Sequence, residues 1–297
     1  MSTPLVSVVI PTYKRSNLVL RAVNSVLIQS YSNYEIIIID DNVEGSEQQK
    51  NTKRKIEKNF NDFRIQYHTN KKSLGGGGSR NEGIKKSNGE YIAFLDDDED
   101  WLPQKLSKQI ELFSGSTSEV GAIDTGFYSI SEKNEKIYIS PEMQGWILED
   151  LLMKNKRAPK LSTLICKKKI LETVGGFDAK LKSRQDLDLY IRLSKVCEFQ
   201  SIDEPLANKR FDAAERISTN LNSKLQGYEL IYEKYYKEFK LRPNIHANYL
   251  LKHSKKFIEA KKYFHAIKKI FHSFWIVKFQ PQKVFVLVKK IIRKMFK

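Results

Sequence analysis

Gly89-Glu90-Tyr91-Ile92-Ala93-Phe94-Leu95-Asp96-Asp97-Asp98-Glu99-Asp100-Trp101 sets a continuous apolar run directly before five consecutive acids. Tyr91 to Leu95 reads as a strand buried on both faces, the kind found inside a parallel sheet. Five carboxylates at its end repel one another, so a cation is expected among them. Mg²⁺ and Mn²⁺ are usually held by one or two carboxylates, with water and substrate phosphate completing the shell. In extended chain, side chains two apart share a face, so Asp96 and Asp98 converge on such an ion while Asp97 points elsewhere. A solvated acidic turn is the plain alternative. An EF-hand loop is excluded, although Asp96, Asp98 and Asp100 match its first three ligand positions. Trp101 stands where that loop needs glycine, and Ser107 where it needs the closing glutamate.

Upstream, Val6 to Ile10 reads as a buried strand leading through Pro11-Thr12-Tyr13-Lys14-Arg15 into a helix. There Leu18, Ala22, Val26 and Leu27 share a face and Ser16 serves as N-cap. Glu35 to Ile39 is a second strand ending at Asp40-Asp41-Asn42, Ser46 to Asn59 a helix, Arg64 to Tyr67 a short strand, and Ser79 to Lys86 a helix. This alternation predicts an α/β protein with a mainly parallel, doubly wound sheet. Both acidic clusters then lie at carboxyl ends of strands, where open α/β sheets collect ligands, and this favours a site over a solvated turn. Downstream, a helix is expected from Pro103 to Phe113 and strands at Val120 to Ile130, Lys136 to Ser140 and Leu161 to Ile165. Further helices are expected at Gly145 to Met153, Lys168 to Val174 and Gln185 to Lys195, and from about Ser218 the chain turns mostly helical.

The chain has 297 residues, 40% of them hydrophobic, enough for one sizeable core and a smaller appendage. Cys166 and Cys197 are too few for a disulfide framework. His68, His246, His253, His265 and His272 show no ligand spacing with the acids. A reducing, cytosolic compartment is therefore expected. Met1 to Leu5 shows no basic region or long apolar run, so no signal peptide is expected. No window reaches the roughly 18 uninterrupted apolar residues of a membrane span.

The net charge of +17 is unevenly placed: Lys252 to Lys297 holds 14 Lys/Arg against one acid, Glu259. There Phe257, Ala260, Phe264, Ile267, Phe271 and Phe274 recur at helical spacing, flanked by Lys255, Lys261, Lys262, Lys268 and Lys269. After Pro281, Val284, Leu287, Val288, Ile291 and Met295 form a second such face with Lys289, Lys290, Arg293 and Lys294. Packing on the body is the plain reading. The lysine excess favours an anionic membrane surface for the final helix, each basic side chain near it contributing about 1 kcal/mol; the earlier helix suits either role. A nucleic-acid-binding module would spread its charge over a body groove and has no use for Asp96 and Asp98, so no nucleic-acid partner is expected.

Pro11-Thr12-Tyr13-Lys14-Arg15, Asp40-Asp41-Asn42, Ser79-Arg80-Asn81-Glu82-Gly83, the stretch from Gly89 to Pro103, Gly175-Gly176-Phe177-Asp178 and Gln185-Asp186 together resemble glycosyltransferase family 2. The resemblance implies a GT-A fold: a catalytic domain at 1–215, nucleotide-binding over about 1–100 and acceptor-binding over about 101–215, with a basic helical extension at 216–297. It implies an inverting enzyme that uses Mn²⁺ or Mg²⁺. A sugar would pass from a nucleotide-diphosphate sugar, by these motifs a UDP-sugar, to a lipid-linked or growing surface glycan at the cytoplasmic face of the plasma membrane. Carried over by motif, Pro11, Thr12, Tyr13 and Arg15 line the nucleotide pocket, Asp41 accepts a hydrogen bond from the base, and Arg80 lies near base and diphosphate. Asp98 ligates the metal, Asp96 reaches the metal or the donor sugar, and Asp97 belongs to the nucleotide-sugar site. Asp186 holds the place of the general base that takes the acceptor's proton.

The chain departs from the family in three places. Gln185 stands where the family usually has glutamate, which removes a like charge beside Asp186 and makes a weaker base of it. Asp188 could substitute only if the segment were not helical there. Glu99 for aspartate is harmless, and the quadruple glycine Gly75 to Gly78 suits a mobile flap over the donor. A nucleotidyltransferase would want a glycine-rich basic loop after the first strand, which Pro11-Thr12-Tyr13 does not supply.

Overall fold

A computed structural model describes residues 3–210 and 221–277. They divide into two compact units, the first holding 3–148, 157–180 and 185–210, the second 149–156, 181–184 and 221–277. The expected single cut after residue 215 thus misses two short earlier stretches that belong with the C-terminal helices.

In the first unit β1 (Val6–Thr12), β2 (Tyr34–Asp40), β3 (Ile65–Thr69) and β4 (Tyr91–Phe94) run parallel, joined by α1 (Leu18–Leu27), α2 (Glu47–Asn59) and α3 (Gly75–Lys86). Val8, Val9, Ile36, Ile37, Ala93 and Phe94 are fully buried, as strands covered on both faces require. Ser46 caps α2, its hydroxyl accepting from Gln49 N–H at 3.3 Å. The cap of α1 is Asn17 rather than Ser16, whose hydroxyl instead accepts from Asn51 Nδ2 at 2.9 Å. After β3 the chain crosses back over β1 to place β4 on its other side.

Beyond β4 lie β5 (Glu99–Trp101), α4 (Lys105–Gly115), β6 (Val120–Ile130), β7 (Lys136–Ile139), α5 (Leu148–Met153), β8 (Ile165–Lys167), α6 (Lys168–Thr173), α7 (Gln185–Leu193) and β9 (Glu198–Arg210). Among the described residues one sheet runs β3-β2-β1-β4-β8-β6-β9-β5, with β7 on β6. Here the parallel expectation ends: β8 is antiparallel to β4 and β6, and β5 to β9, while β6 and β9 are parallel. Strand β9 is missing from the sequence reading because Asp203-Glu204-Pro205 interrupts its pattern. Pro205 lies opposite Gly126 at an irregularity of register, the place in a sheet where proline is tolerated. The strand expected at Leu161 to Ile165 is instead a 3-10 turn, Leu161–Thr163, before β8. The Thr163 hydroxyl bonds back to Lys160 O at 2.8 Å, a local bond that competes with strand pairing.

The second unit is helical: α8 (Leu221–Lys234), α9 (Tyr236–Lys240), α10 (Pro243–Glu259) and α11 (Tyr263–Val277). Its small core joins Leu225, Phe257, Ile258, Ala266 and Ile270. The continuous face expected from Phe257 to Phe274 is cut between α10 and α11, where Lys261 takes a φ of 57°. Phe257 is buried in consequence, whereas Phe264 and Phe271 are exposed. The second face, Val284 to Met295, lies outside the described residues. Among those described, no helix is long and apolar enough to cross a membrane.

Candidate active site

The chain switches sides of the sheet between β1 and β4, and the loops leaving their carboxyl ends stand at the kind of switch point where open α/β sheets hold ligands. β4 ends at Phe94, so Asp96 to Asp98 lie on a turn and not on extended chain. The turn nevertheless brings one carboxylate oxygen each from Asp96, Asp98 and Glu99 within 4.8 Å of the others. Asp97 points elsewhere, accepting from Thr12 Oγ1 at 2.8 Å and Arg15 Nη1 at 3.1 Å. Gathered carboxylate oxygens are a donor set that fits a hard divalent cation.

Every acid in the cluster also meets a cation of the chain itself. Arg80 lies 2.5 Å from Asp96, Arg15 3.1 and 3.2 Å from Asp97 and Asp98, and Arg210 2.7 Å from Asp100; Lys209 pairs with Glu99. The repulsion first assigned to a metal is therefore offset within the fold. Burial works against the charged form of Asp96, but Arg80, Lys209 and Arg15 outweigh it and hold the carboxyl below its usual range. In Asp97 burial wins over Arg15 and Thr12, pushing its carboxyl up to about 6. Lys209 and Arg210 were not anticipated. They stand on β9, whose register sets Lys209 opposite Glu99, and their signal in the sequence was a Lys-Arg pair closing a short apolar run.

The nucleotide side is built from the ends of β1 and β2, tied by Asp41 N–H to Thr12 O at 2.8 Å. Lys14 adopts a φ of 58° and donates its N–H to Asn42 Oδ1, leaving Tyr13 exposed. Asp41 accepts from Asn70 Nδ2 (2.8 Å), Ser73 Oγ (2.7 Å) and the N–H groups of Leu74 (2.7 Å) and Gly75 (2.9 Å). These donors fill its acceptor positions, so a base approaching Asp41 must displace one of them.

The glycine run is not a flap: it forms the first turn of α3, entered at Gly75 with a φ of 71°. Glycine is a poor helix former, and the Asp41 carboxylate on the first N–H groups compensates at the positive helix end. A Cβ on Gly77 would come within 3.2 Å of the Gln185 side chain, so the absence of side chains permits close packing. One turn further on, Arg80 reaches Asp96.

Asp186 is exposed in the first turn of α7, its Oδ1 accepting from Leu187 N–H at 2.8 Å. Through Gln185 this helix start packs on Gly76 and Gly77 of α3, the helix that supplies Arg80. Burial, and after it Asp186, raises the pKa of the Tyr190 hydroxyl, with Arg80 working against the rise. Asp188 is not a substitute base: the segment is helical and its carboxylate, fully buried, pairs with Arg192 at 2.7 Å.

A buried polar layer unnoticed in the sequence props the acidic turn from below. Trp101 Nε1 donates to Ser162 O at 2.7 Å, and Ser162 Oγ accepts from Asp96 N–H at 3.1 Å. Lys105, fully buried 4.1 Å over the Trp101 ring, donates to Gln109 Oε1 at 2.7 Å. Burial lowers the Lys105 ammonium to about 7 although Asp124 opposes it. Gln109 Nε2 in turn donates to Ile123 O and Thr163 O, closing the layer onto the 3-10 turn.

A family model described as Glycosyl transferase family 2 matches residues 7–172, more than half of the chain. RP339 of Rickettsia prowazekii (strain Madrid E), an uncharacterized glycosyltransferase, is 30% identical over 242 residues, covering 80% of this chain and 73% of that one. The amylovoran biosynthesis glycosyltransferase AmsB of Erwinia amylovora is 28% identical over 211 residues, 68% of each chain. The UDP-Glc:alpha-D-GlcNAc-diphosphoundecaprenol beta-1,3-glucosyltransferase WfgD of Escherichia coli is 37% identical over 112 residues, 38% of this chain and 42% of that one. Among solved structures, S. aureus TarS 1–349 in complex with UDP-GlcNAc aligns with a TM-score of 0.60 at 14% identity, covering 91% of this chain and 89% of that one. The longer TarS chain is covered to 54%. The likeness to TarS concerns the fold, a mixed α/β sheet with flanking helices.

Proposed function

Since the chain belongs to glycosyl transferase family 2 and is a transferase, we propose that it is an inverting, cation-dependent enzyme moving a sugar from a UDP-sugar to a hydroxyl of a lipid-linked or growing surface polysaccharide. The observation that carries this reading is the turn where Asp96, Asp98 and Glu99 gather oxygen ligands beside Arg15 and Arg80, guanidinium groups suited to phosphate oxygens. Mn²⁺ or Mg²⁺ held by Asp98 and Asp96 would supply charge to offset that developing on the departing diphosphate. Pro11, Thr12, Tyr13 and Asp41 line the nucleotide side, and Asp97 holds Thr12 and Arg15 in place. Asp186 takes the acceptor hydroxyl's proton as its oxygen bonds to the anomeric carbon from the face opposite the leaving group.

Support for the substrates comes from the similar proteins: the name of WfgD gives a UDP-sugar and a lipid diphosphate, that of AmsB a polysaccharide, and TarS was solved with UDP-GlcNAc. A lipid-linked acceptor sits at a bilayer, and the basic C-terminal helices are the proposed route to its cytoplasmic face. Donor breakdown measured across UDP-, GDP- and dTDP-sugars with Mn²⁺ tests the reading. Turnover of a UDP-sugar, abolished by chelation, is expected; a folded chain that consumes no UDP-sugar contradicts it.

A further inference from the structure

On α11 the side chains of Phe264, Phe271 and Trp275 are 78%, 68% and 86% exposed. Their spacing of seven and four residues puts them, with exposed Lys268, on one stripe of the helix. The opposite stripe, Ala266, Ile270 and Ser273, is buried, and Ala266 and Ile270 share a core with Phe257 and Ile258. An exposed apolar stripe of this kind marks a docking surface.

Charge selects its occupant. Residues 260–277 contain Lys261, Lys262, Lys268 and Lys269 and no acid; residues 278–297 contain seven Lys/Arg and no acid. Covering the stripe with the chain's own last residues, or with the same stripe of a second copy, would therefore set like charge against like. An anionic bilayer answers both features: lysines meet headgroup phosphates, and Phe and Trp rings enter the boundary between headgroups and acyl chains, a region in which Trp is enriched.

We infer that α11 docks on an anionic lipid surface, with Phe264, Phe271 and Trp275 inserted and Lys261, Lys262 and Lys268 at the headgroups. This names the side chains behind the membrane-surface part of the proposed function. It is tested without donor, cation or acceptor, so it and the transferase reading fail independently.

The full chain carrying Trp146→Phe is mixed with phosphatidylcholine vesicles, pure or containing phosphatidylglycerol. Sedimentation and Trp emission are followed; Trp101 is buried, so a shift reports Trp275. Co-sedimentation with the anionic vesicles alone is expected, with a blue shift and quenching by brominated lipid. Phe264→Ser/Phe271→Ser should weaken partitioning by roughly tenfold or more, and each of Lys261→Gln, Lys262→Gln and Lys268→Gln by about fivefold. All five positions are at the surface, and circular dichroism checks that the variants fold; if the double variant does not, the lysine variants decide. No binding to anionic vesicles overturns the inference, as does binding that these substitutions leave unchanged. So does Trp275 already shielded from iodide without lipid, the sign of cover by the chain's own end or a second copy. A larger Trp275 response to single-stranded nucleic acid than to vesicles also overturns it.

Discussion

Arg80 Nη2 lies 2.5 Å from Asp96 Oδ1, so the carboxylate proposed to meet the cation is held by the guanidinium proposed to meet the diphosphate. Donor and cation binding would part this pair together. Arg80→Gln removes the competitor for Asp96. Calorimetry should find Mn²⁺ binding without nucleotide strengthened by about tenfold, the scale of one charge-assisted hydrogen bond, and UDP binding weakened. Loss of affinity for both would show Arg80 to be a structural strut.

Asp41→Asn exchanges an acceptor-only group for one that turns N–H toward N–H at the start of α3. The four bonds it now accepts cannot all survive. Chemical denaturation should show a loss of about 1–3 kcal/mol, with faster hydrogen exchange over residues 70–78. Unchanged stability with weakened UDP binding would make Asp41 a base contact alone.

His253 makes stability pH-dependent. The ring is fully buried between Tyr228 (5.0 Å) and Phe257 (4.8 Å), and among the described residues neither nitrogen has a hydrogen-bond partner, Glu229 Oε1 standing off at 3.6 Å from Nε2. Burial, with Lys269, Lys154 and Arg184, draws its pKa from 6.5 down to about 3. The unfolded ring accepts the proton that the folded one refuses, so its contribution is complete above 6.5 and drains as pH falls toward 3. Asp97 and Asp124, both raised to about 6 by burial, act in the opposite sense, so the comparison with a variant is decisive. His253→Phe should raise the thermal midpoint at pH 5 more than at pH 7; an equal change at both contradicts the account.

The two aspartates of α7 should separate cleanly. Asp186→Asn is expected to lower turnover by about 10²-fold or more while leaving UDP affinity and folding unchanged. Asp188→Ala empties a fully buried position and removes the carboxylate that partly exposed Arg192 pairs with, leaving Arg192 its bond to Val174 O, and should cost about 1–3 kcal/mol of stability. Near-normal turnover by folded Asp186→Asn would refute the assigned base.

Periodic, locally encoded features were legible in the sequence. The mostly apolar strands at Val6 to Ile10, Glu35 to Ile39 and Tyr91 to Leu95, and the capped helix after Ser46, carry their identity in their own residues. Partners brought together by long-range pairing were not. Lys209 meets Glu99 across 110 residues only because β9 runs past Pro205 at an irregular register. Gly75 to Gly78 reads as flexible chain until Asp41 and Gln185, both distant in sequence, are set against it. The five-acid run was legible as a cluster awaiting positive charge. That arginine and lysine supply much of it depended on the fold.

The central claim is that the acidic turn binds a cation together with the donor diphosphate, and titration of UDP into the protein with and without Mn²⁺ tests it most directly. UDP should bind more tightly with Mn²⁺ present, and Asp98→Ala should erase the difference while leaving the fold intact. Equal UDP affinity in the two conditions for the unaltered protein would contradict the account.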